Sequence, residues 1–327
     1  KDLLQPKVKM PTTIGYGNGY EVSYMNSGKM TNKGWEFRVD AVPFENRDWR
    51  VGFYFNIAHN ENKITEMPDN YTEENYTFNN GEYAYRREEG RPMGSFYGYR
   101  YKGVCQNKDA TYARDADGNV MKDISGNAIV MRNGSYTVAP GDAIYEDVNH
   151  DGVINQYDIV YLGNSNPRLT GGAGLNVSYK QFKLSAIFYG RYGQDVVNAT
   201  RLNNESMRGI DNQSTAVLRR WRNEGDQTDI PRALYGEGYN TLGSDRFVED
   251  ASYLRLKSLS FTYRLPKKAI QRWGFNNIDV YVTGYNLFTW TNYTGQDPEV
   301  KTENTYAKDT ATTPASIQLV AGFNLSF

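Results

Sequence analysis

Residues 315–327 read ASIQLVAGFNLSF, and their alternation decides the fold class. Ile317, Leu319, Ala321, Phe323, Leu325 and Phe327 fall on one face of an extended chain. Ser316, Gln318, Val320, Gly322, Asn324 and Ser326 fall on the other. Strand side chains point alternately to opposite sides, so this period of two describes a strand that is greasy on one face only. It runs for about a dozen residues, against about 5–6 for an average globular strand. That is long enough to cross an outer membrane at a tilt.

The pattern recurs. Trp35, Phe37, Val39 and Ala41 alternate with Glu36, Arg38 and Asp40. Trp49, Val51, Phe53, Phe55 and Ile57 alternate with Arg50, Gly52, Tyr54, Asn56 and Ala58. Charges on the second face suit a wet lumen and would be costly in a dry sandwich core. Further strands are expected over 19–25, 169–179, 182–192, 253–264 and 278–290. In the 253–264 strand the apolar phase slips between Leu256 and Leu259, the mark of a bulge. Short connections are expected at 43–48, 180–181 and 265–277, the last with a helical turn around 269–273. Long ones are expected at about 65–167, 193–252 and 291–314. Short turns on one side and long loops on the other are the habit of a transmembrane β-barrel, with the long loops outside. About eight strands result. Residues 93–104 (MGSFYGYRYKGV) also read as a strand, but a further span would break the up-and-down parity, so they are assigned to the first long loop.

Bulk properties agree and exclude other classes. Mean hydropathy is −0.71, and no run approaches the ~20 apolar residues of a membrane-spanning helix. The 37 basic and 38 acidic residues leave a net charge of −1, so no global field favours nucleic acid. Cys105 is the single cysteine, and His59 and His150 are the two histidines, which are expected at the surface. No nucleophile–His pair, zinc-ligand spacing or P-loop is present, and no enzymatic activity is expected. The chain begins Lys1-Asp2-Leu3 without an initiator Met or signal peptide, so a mature product or a fragment is expected. A soluble sandwich or propeller is the alternative architecture. No blade-like repeat appears, and the long loops exceed sandwich habit.

Five stretches then carry a resemblance: Asn32-Lys33-Gly34-Trp35-Glu36, residues 141–152 (GDAIYEDVNHDG), 162–167 (LGNSNP), 188–193 (FYGRYG) and 247–256 (FVEDASYLRL). In this order and spacing the chain resembles the SusC/RagA type of TonB-linked (TonB-dependent) outer-membrane receptor over nearly its whole length. The resemblance covers only about the last third of such a receptor. It implies an all-β, antiparallel barrel segment belonging to a larger barrel of about 22 strands, with the plug domain and earlier strands supplied by a parent or companion polypeptide. It also implies TonB-driven import across the bacterial outer membrane of glycan or peptide oligomers, a SusD-like surface lipoprotein closing the barrel mouth, and the TonB complex as energy source. The alternatives are a small eight-stranded porin or adhesin, or an outer-membrane barrel enzyme.

The sharpest local motif is DVNHDGVINQYD at 147–158, which has the D-x-N-x-D-G spacing of a calcium loop. Asp147, Asn149, Asp151, the Val153 carbonyl, Asn155 and Asp158 would be the ligands of a structural calcium, clamping a long loop without a core. Asp158 stands where such loops use the longer Glu. The other reading is an Asx/Gly turn held by its own hydrogen bonds. A shorter acidic stretch, Asp115 to Asp123, reads as a turn. Phe327, closing an amphipathic strand, resembles the terminal signal read by barrel-assembly machinery. Tyr235, Tyr239, Trp290, Asn292 and Tyr293 are candidates for stacking on sugar. Trp35, Trp49 and Trp290 fit an interfacial girdle at least as well. Trp221, in a helix-like stretch at 217–222, reads as a packing residue.

Overall fold

The computed structural model describes residues 7–11, 22–26, 28–67, 82–84, 87–303 and 306–327. Seven antiparallel strands form one sheet: Lys29–Glu45, Trp49–Glu66, Leu169–Tyr179, Phe182–Tyr192, Tyr253–Arg264, Asn277–Thr291 and Gln318–Ser326. Each pairs with its neighbour in sequence, giving an up-and-down meander. The first and last strands do not pair with each other, so among the described residues the sheet stays open. The strand expected over 19–25 is described only as Val22–Asn26, which pairs with Lys7–Pro11 in a separate ladder.

Register puts the apolar residues of all seven strands in common rows. Trp35 lies opposite His59, Phe37 opposite Ile57 and Val39 opposite Phe55. Phe55 continues to Ala173 and Phe188, and Phe53 to Leu175 and Ala186. At the far edge Phe261 faces Val282, which faces Ala321. A one-residue slip anywhere would move a whole strand's apolar set to the other face, so this alignment is strongly specified. Phe37, Phe53, Phe55, Leu184, Phe261 and Phe323 remain exposed on it. The reason is that the solvent this face requires is hydrocarbon.

Aromatics mark both rims of the band. Near the short turns Trp49 packs on Tyr179, Phe182 on Tyr263 and Phe275 on Phe327, with ring centroids 4.3, 4.9 and 4.9 Å apart. Near the long loops Trp35 meets His59, and Phe188 and Phe288 both stack on Trp290. Ten strand steps separate Trp49 from His59, about 25 Å along the normal after a ~40° tilt, which is the height of an outer-membrane apolar band. Trp35, Trp49 and Trp290 therefore occupy the girdle.

Two local details follow from side-chain chemistry. The Lys29–Glu45 strand runs past the expected turn at 43–48 because Pro43, which has no N–H to donate, sits in a bulge between Ala41 and Phe44. The turn itself is shorter, and Asn46 Oδ1 accepts the N–H groups of Asp48 and Trp49. The expected slip after Leu256 is a bulge in register with both neighbouring strands.

The long loops gather into a cap with its own core, against the expectation of a loop without one. Tyr97, Tyr99, Cys105, Ala113, Tyr145 and Ile154 from the first loop pack with Tyr239 and Leu242 from the second. Residues 93–104 form two short strands inside this cap, Ser95–Gly98 against Val160–Asn164 and Tyr101–Val104 against Ala143–Tyr145. Tyrosine can build such a core because the ring is buried while the hydroxyl finds a partner. Tyr145 accepts the Leu242 N–H at 3.2 Å, whereas the Tyr239 hydroxyl is buried without a partner among the described residues.

Candidate functional site: the lumen wall and its cap

The second face of the sheet is polar and wet, the wall of a lumen. Asn176 and Ser185 hydrogen-bond across strands at 2.8 Å, as do Ser260 and Thr283. Arg264 grips Asp279 with two contacts of 2.7 and 3.0 Å, and Arg38 pairs with Asp40 at 2.6 Å. Hollows of about 620 and 380 Å³ open on this face beside Asp40, Arg50 and Lys183, and beside Arg264 and Asp279. Tyrosines lie over glycines here. A Cβ on Gly174 would sit 2.0 Å from the Tyr54 ring, and one on Gly322 would sit 2.7 Å from the Tyr281 hydroxyl. These cross-strand pairs cover backbone that glycine leaves bare.

Three acidic or basic hubs tie the long loops together, and one of them, Arg255, anchors them to a strand of the wall. Arg255, 2 % exposed, donates to Asp297 and, at 2.9 Å, to Glu299, which also takes Lys257 at 2.8 Å. Glu249 accepts the Thr294 N–H at 2.8 Å, Arg201 at 3.2 Å and Asn198 at 3.1 Å. Asp142, fully buried, pairs with Arg232 at 2.7 Å and accepts Tyr136 and Asn240. Burial alone would raise the Glu249 carboxyl, but hydrogen bonds from Thr294, Arg201 and Asn198 outweigh it and hold it low. Asp297 is likewise held low despite burial, by the Ala315 and Glu299 amides and Arg255. These hubs lie inside the quoted stretches 141–152 and 247–256. Nothing local marks them, because their ionic partners stand about 40 to 90 residues away in sequence.

The six proposed calcium ligands lie in one turn, but their oxygens are committed elsewhere. Asp147 accepts the N–H groups of Asp151 and Gly152, and Asp151 accepts those of Val153 and the Asn149 amide. The Val153 carbonyl takes the Asn155 amide at 3.1 Å. Asp158, fully buried, accepts Val148 and Asn155 N–H at 2.8 Å each, the second bond closing the capping box of the 3₁₀ turn Gln156–Asp158, whose N-cap is Asn155. Burial raises its pKa, and the nearby Asp147 charge adds to the rise. Among the described residues no group of three or more His, Cys, Asp or Glu side chains is placed to hold a metal. The oxygens of this turn are the same ones a calcium ion would need, so an ion bound here would compete with the turn's own hydrogen bonds. Gly152, at φ +80°, supplies the sharp bend that either reading needs.

The other candidates separate cleanly. Tyr239 and Tyr293 are buried, and Tyr293 is spent on Asp309 at 2.7 Å, so neither can stack on a sugar. Trp290 faces outward from the barrel, Asn292 stands beside it, and Tyr235 alone of the set is an exposed aromatic of the cap. Trp221 covers Gly141, as a packing residue should, beside a 3₁₀ turn over Thr215–Arg219. Asp115 and Asp123 each close a turn, accepting Asn119 and Asn127 N–H; the pair is a repeated D-x-x-G-N unit. His59 and His150 contact the backbone carbonyls of Arg168 and Arg114. Burial pushes the Cys105 thiol up to about 12, which makes it inert. Phe327 is 81 % exposed at the turn end of the last strand.

No protein-family model matches the chain. It is 31 % identical over 305 residues to TonB-dependent receptor P3 of Formosa agariphila, covering 90 % of this chain and 28 % of that receptor. It is 26 % identical over 335 residues to TonB-dependent receptor SusC of Bacteroides thetaiotaomicron, covering 100 % of this chain and 29 % of that one. The solved structure of the RagAB peptide transporter superposes with a TM-score of 0.70 at 25 % identity, over 98 % of this chain and 32 % of that one. The chain thus spans a third or less of the length of the relatives it matches. It carries a β-barrel portion of a TonB-dependent receptor of the SusC/RagA type.

Proposed function

We propose that this chain is part of the wall and outer cap of an active importer in a bacterial outer membrane. The importer takes up oligomeric nutrients, glycans or peptides, under TonB control and with a SusD-like surface lipoprotein over its mouth. The observation that carries the reading is the open sheet. Among the described residues its edge strands, Lys29–Glu45 and Gln318–Ser326, have no partner on their outer sides, a state that hydrocarbon does not tolerate. Further strands of the same receptor would satisfy them and enclose a lumen wide enough for a plug. An open seven-stranded sheet also argues against a small self-closed porin or adhesin. The proposal gives the chain no enzymatic activity. The similarity to the RagAB peptide transporter supports the peptide class, and the glycan class rests on the resemblance to the SusC type.

The test is growth of the source bacterium on oligosaccharides and on oligopeptides after deletion of the receptor carrying this chain, with and without a functional TonB. Loss of growth on one oligomer class in both the receptor and the TonB mutants, with growth on the monomers kept, is the expected result. Uptake that survives loss of TonB would overturn the reading in favour of a passive pore. We assign Phe327 to recognition by the assembly machinery. Phe327→Ala should lower the yield of folded, heat-modifiable barrel, and an unchanged yield would remove that role.

A further inference from the structure

A third hollow, of about 820 Å³, opens on the lumen side between the wall and the segment 292–315. That size is within the ~300–1,000 Å³ usual for ligand pockets. The wall supplies Arg191, which stands opposite Tyr253 in register and shares the lumen face with Tyr189 and Arg255. The segment supplies Asp297, Glu299, Lys301 and Lys308.

Charge selects what this hollow can hold. Its two carboxylates are already spent. Arg255 donates to both, and Lys257 adds a contact of 2.8 Å to Glu299. Asp297 also accepts the Glu299 and Ala315 N–H groups at 2.9 Å each. Two cations that do not line the hollow thus offset its two acids. Arg191, Lys301 and Lys308 form no ion pair among the described residues, which leaves three cations uncompensated. Glu299 is near enough to act on Arg191 through space, but Arg255 and Lys257 already share it.

Arg191 is the fixed cation of the three. It is half-buried on a wall strand, and its Nε donates to the Tyr189 hydroxyl at 3.1 Å. Its two terminal nitrogens have no partner among the described residues. Such a planar pair matches the two oxygens of a carboxylate. Lys301 and Lys308 are exposed on long flexible stems, which adds attraction without fixing a geometry. Thr310, Thr312 and Thr313 add hydroxyls to the rim. Among the described residues no aromatic side chain lines the hollow, so it lacks the faces on which sugar rings stack. A peptide needs none, since its carboxylates and amides are met by cations and hydroxyls.

We propose that this hollow holds a carboxylate of an imported acidic peptide, gripped by Arg191 with Lys301 and Lys308 around it. The proposal rests on the import reading above and deepens it, because it gives the lumen a preference for acidic peptides over neutral ones.

The test is equilibrium binding to the whole receptor in bilayers, without TonB. The probes are two fluorescent alanine-rich octapeptides that differ at three positions, glutamate in one and glutamine in the other. The glutamate peptide should bind several-fold tighter at low salt, and the margin should shrink as salt screens the charges. Arg191→Gln should remove most of the margin, and Arg191→Lys should restore only part of it. Lys301→Gln combined with Lys308→Gln should reduce it independently, which covers the case that a wall variant does not fold. Lys122→Gln, at an exposed cation of the cap outside the hollow, should leave it unchanged. Equal affinities, binding of neither peptide, or a margin that survives both the Arg191 and the lysine variants would overturn the site. A galacturonate hexamer that binds through Arg191 in preference to the glutamate peptide would overturn the peptide assignment. Each of these leaves the import reading standing, because that reading falls only with TonB-independent uptake in the growth test.

Discussion

The Arg255 guanidinium, with its side chain 3 % exposed, donates to Asp297 and so ties the 292–315 segment to the lumen side of the wall. Glu299 shares the same cation at 2.9 Å. Removing a buried charge leaves its partners desolvated and unpaired, typically at a cost of about 3–5 kcal/mol. Arg255→Met should therefore loosen the segment rather than the barrel. Hydrogen exchange across 292–303 should accelerate, while the Phe182–Tyr192 strand keeps its protection. Equal acceleration in both would show that the contact holds the wall itself.

The two faces should differ sharply in tolerance. Phe53 faces hydrocarbon near mid-height, and Asn56 faces the lumen on the same strand. Arginine at a lipid-facing midplane position costs about 2–4 kcal/mol. Phe53→Arg should lower the unfolding free energy in bilayers by that order, and Asn56→Arg should change it by less than about 1 kcal/mol. Comparable losses at both positions would mean that the faces are assigned wrongly.

Acid should release the ties selectively. Glu249 and Asp297 are held below their ordinary values, so their stabilisation is present above the unfolded carboxylate range and is lost as pH falls through the folded values. Asp158 is raised, so its contribution is present below that range and fades as pH rises through the folded value. Between about pH 5 and pH 3, exchange corrected for intrinsic rate should therefore increase at 292–303 and not at 147–158. An increase confined to the turn would reverse the assignment.

The same turn answers the calcium question. Asp158→Asn keeps the shape but weakens a buried carboxylate that accepts two amides at 2.8 Å, so the cap should lose about 1–3 kcal/mol. Because Asp158 is committed to those amides, millimolar calcium should not shift the wild-type melting temperature. A shift in the wild type, abolished by Asp147→Asn, would establish a calcium site.

The barrel was legible in the sequence because its determinant is local. A period of two needs no knowledge of partners, and Phe53, Phe55 and Leu325 announce their face from neighbours alone. Pro43 misled at the turn, because a missing donor is as compatible with a bulge at a strand end as with a loop. The cap was not legible. Tyr145 meets Tyr239, and Asp142 meets Arg232, across some 90 residues without periodicity. The 147–158 motif was visible, but not that its carboxylates accept the turn's own amides. The lumen hollow had no sequence signal at all, since Arg191 shares it with Lys301 and Lys308 across more than 100 residues.

The most direct test of the barrel account is a spin-label scan in the whole receptor in bilayers, one cysteine at a time over 175–187. The buried, unreactive Cys105 stays unlabelled. Labels at Leu175, Val177 and Leu184 should be accessible to oxygen, and those at Asn176, Ser178 and Ser185 to a water-soluble nickel complex, with the two signals exactly out of phase. A scan without alternation, or with the phases exchanged, would contradict a transmembrane wall with its polar face turned to a lumen.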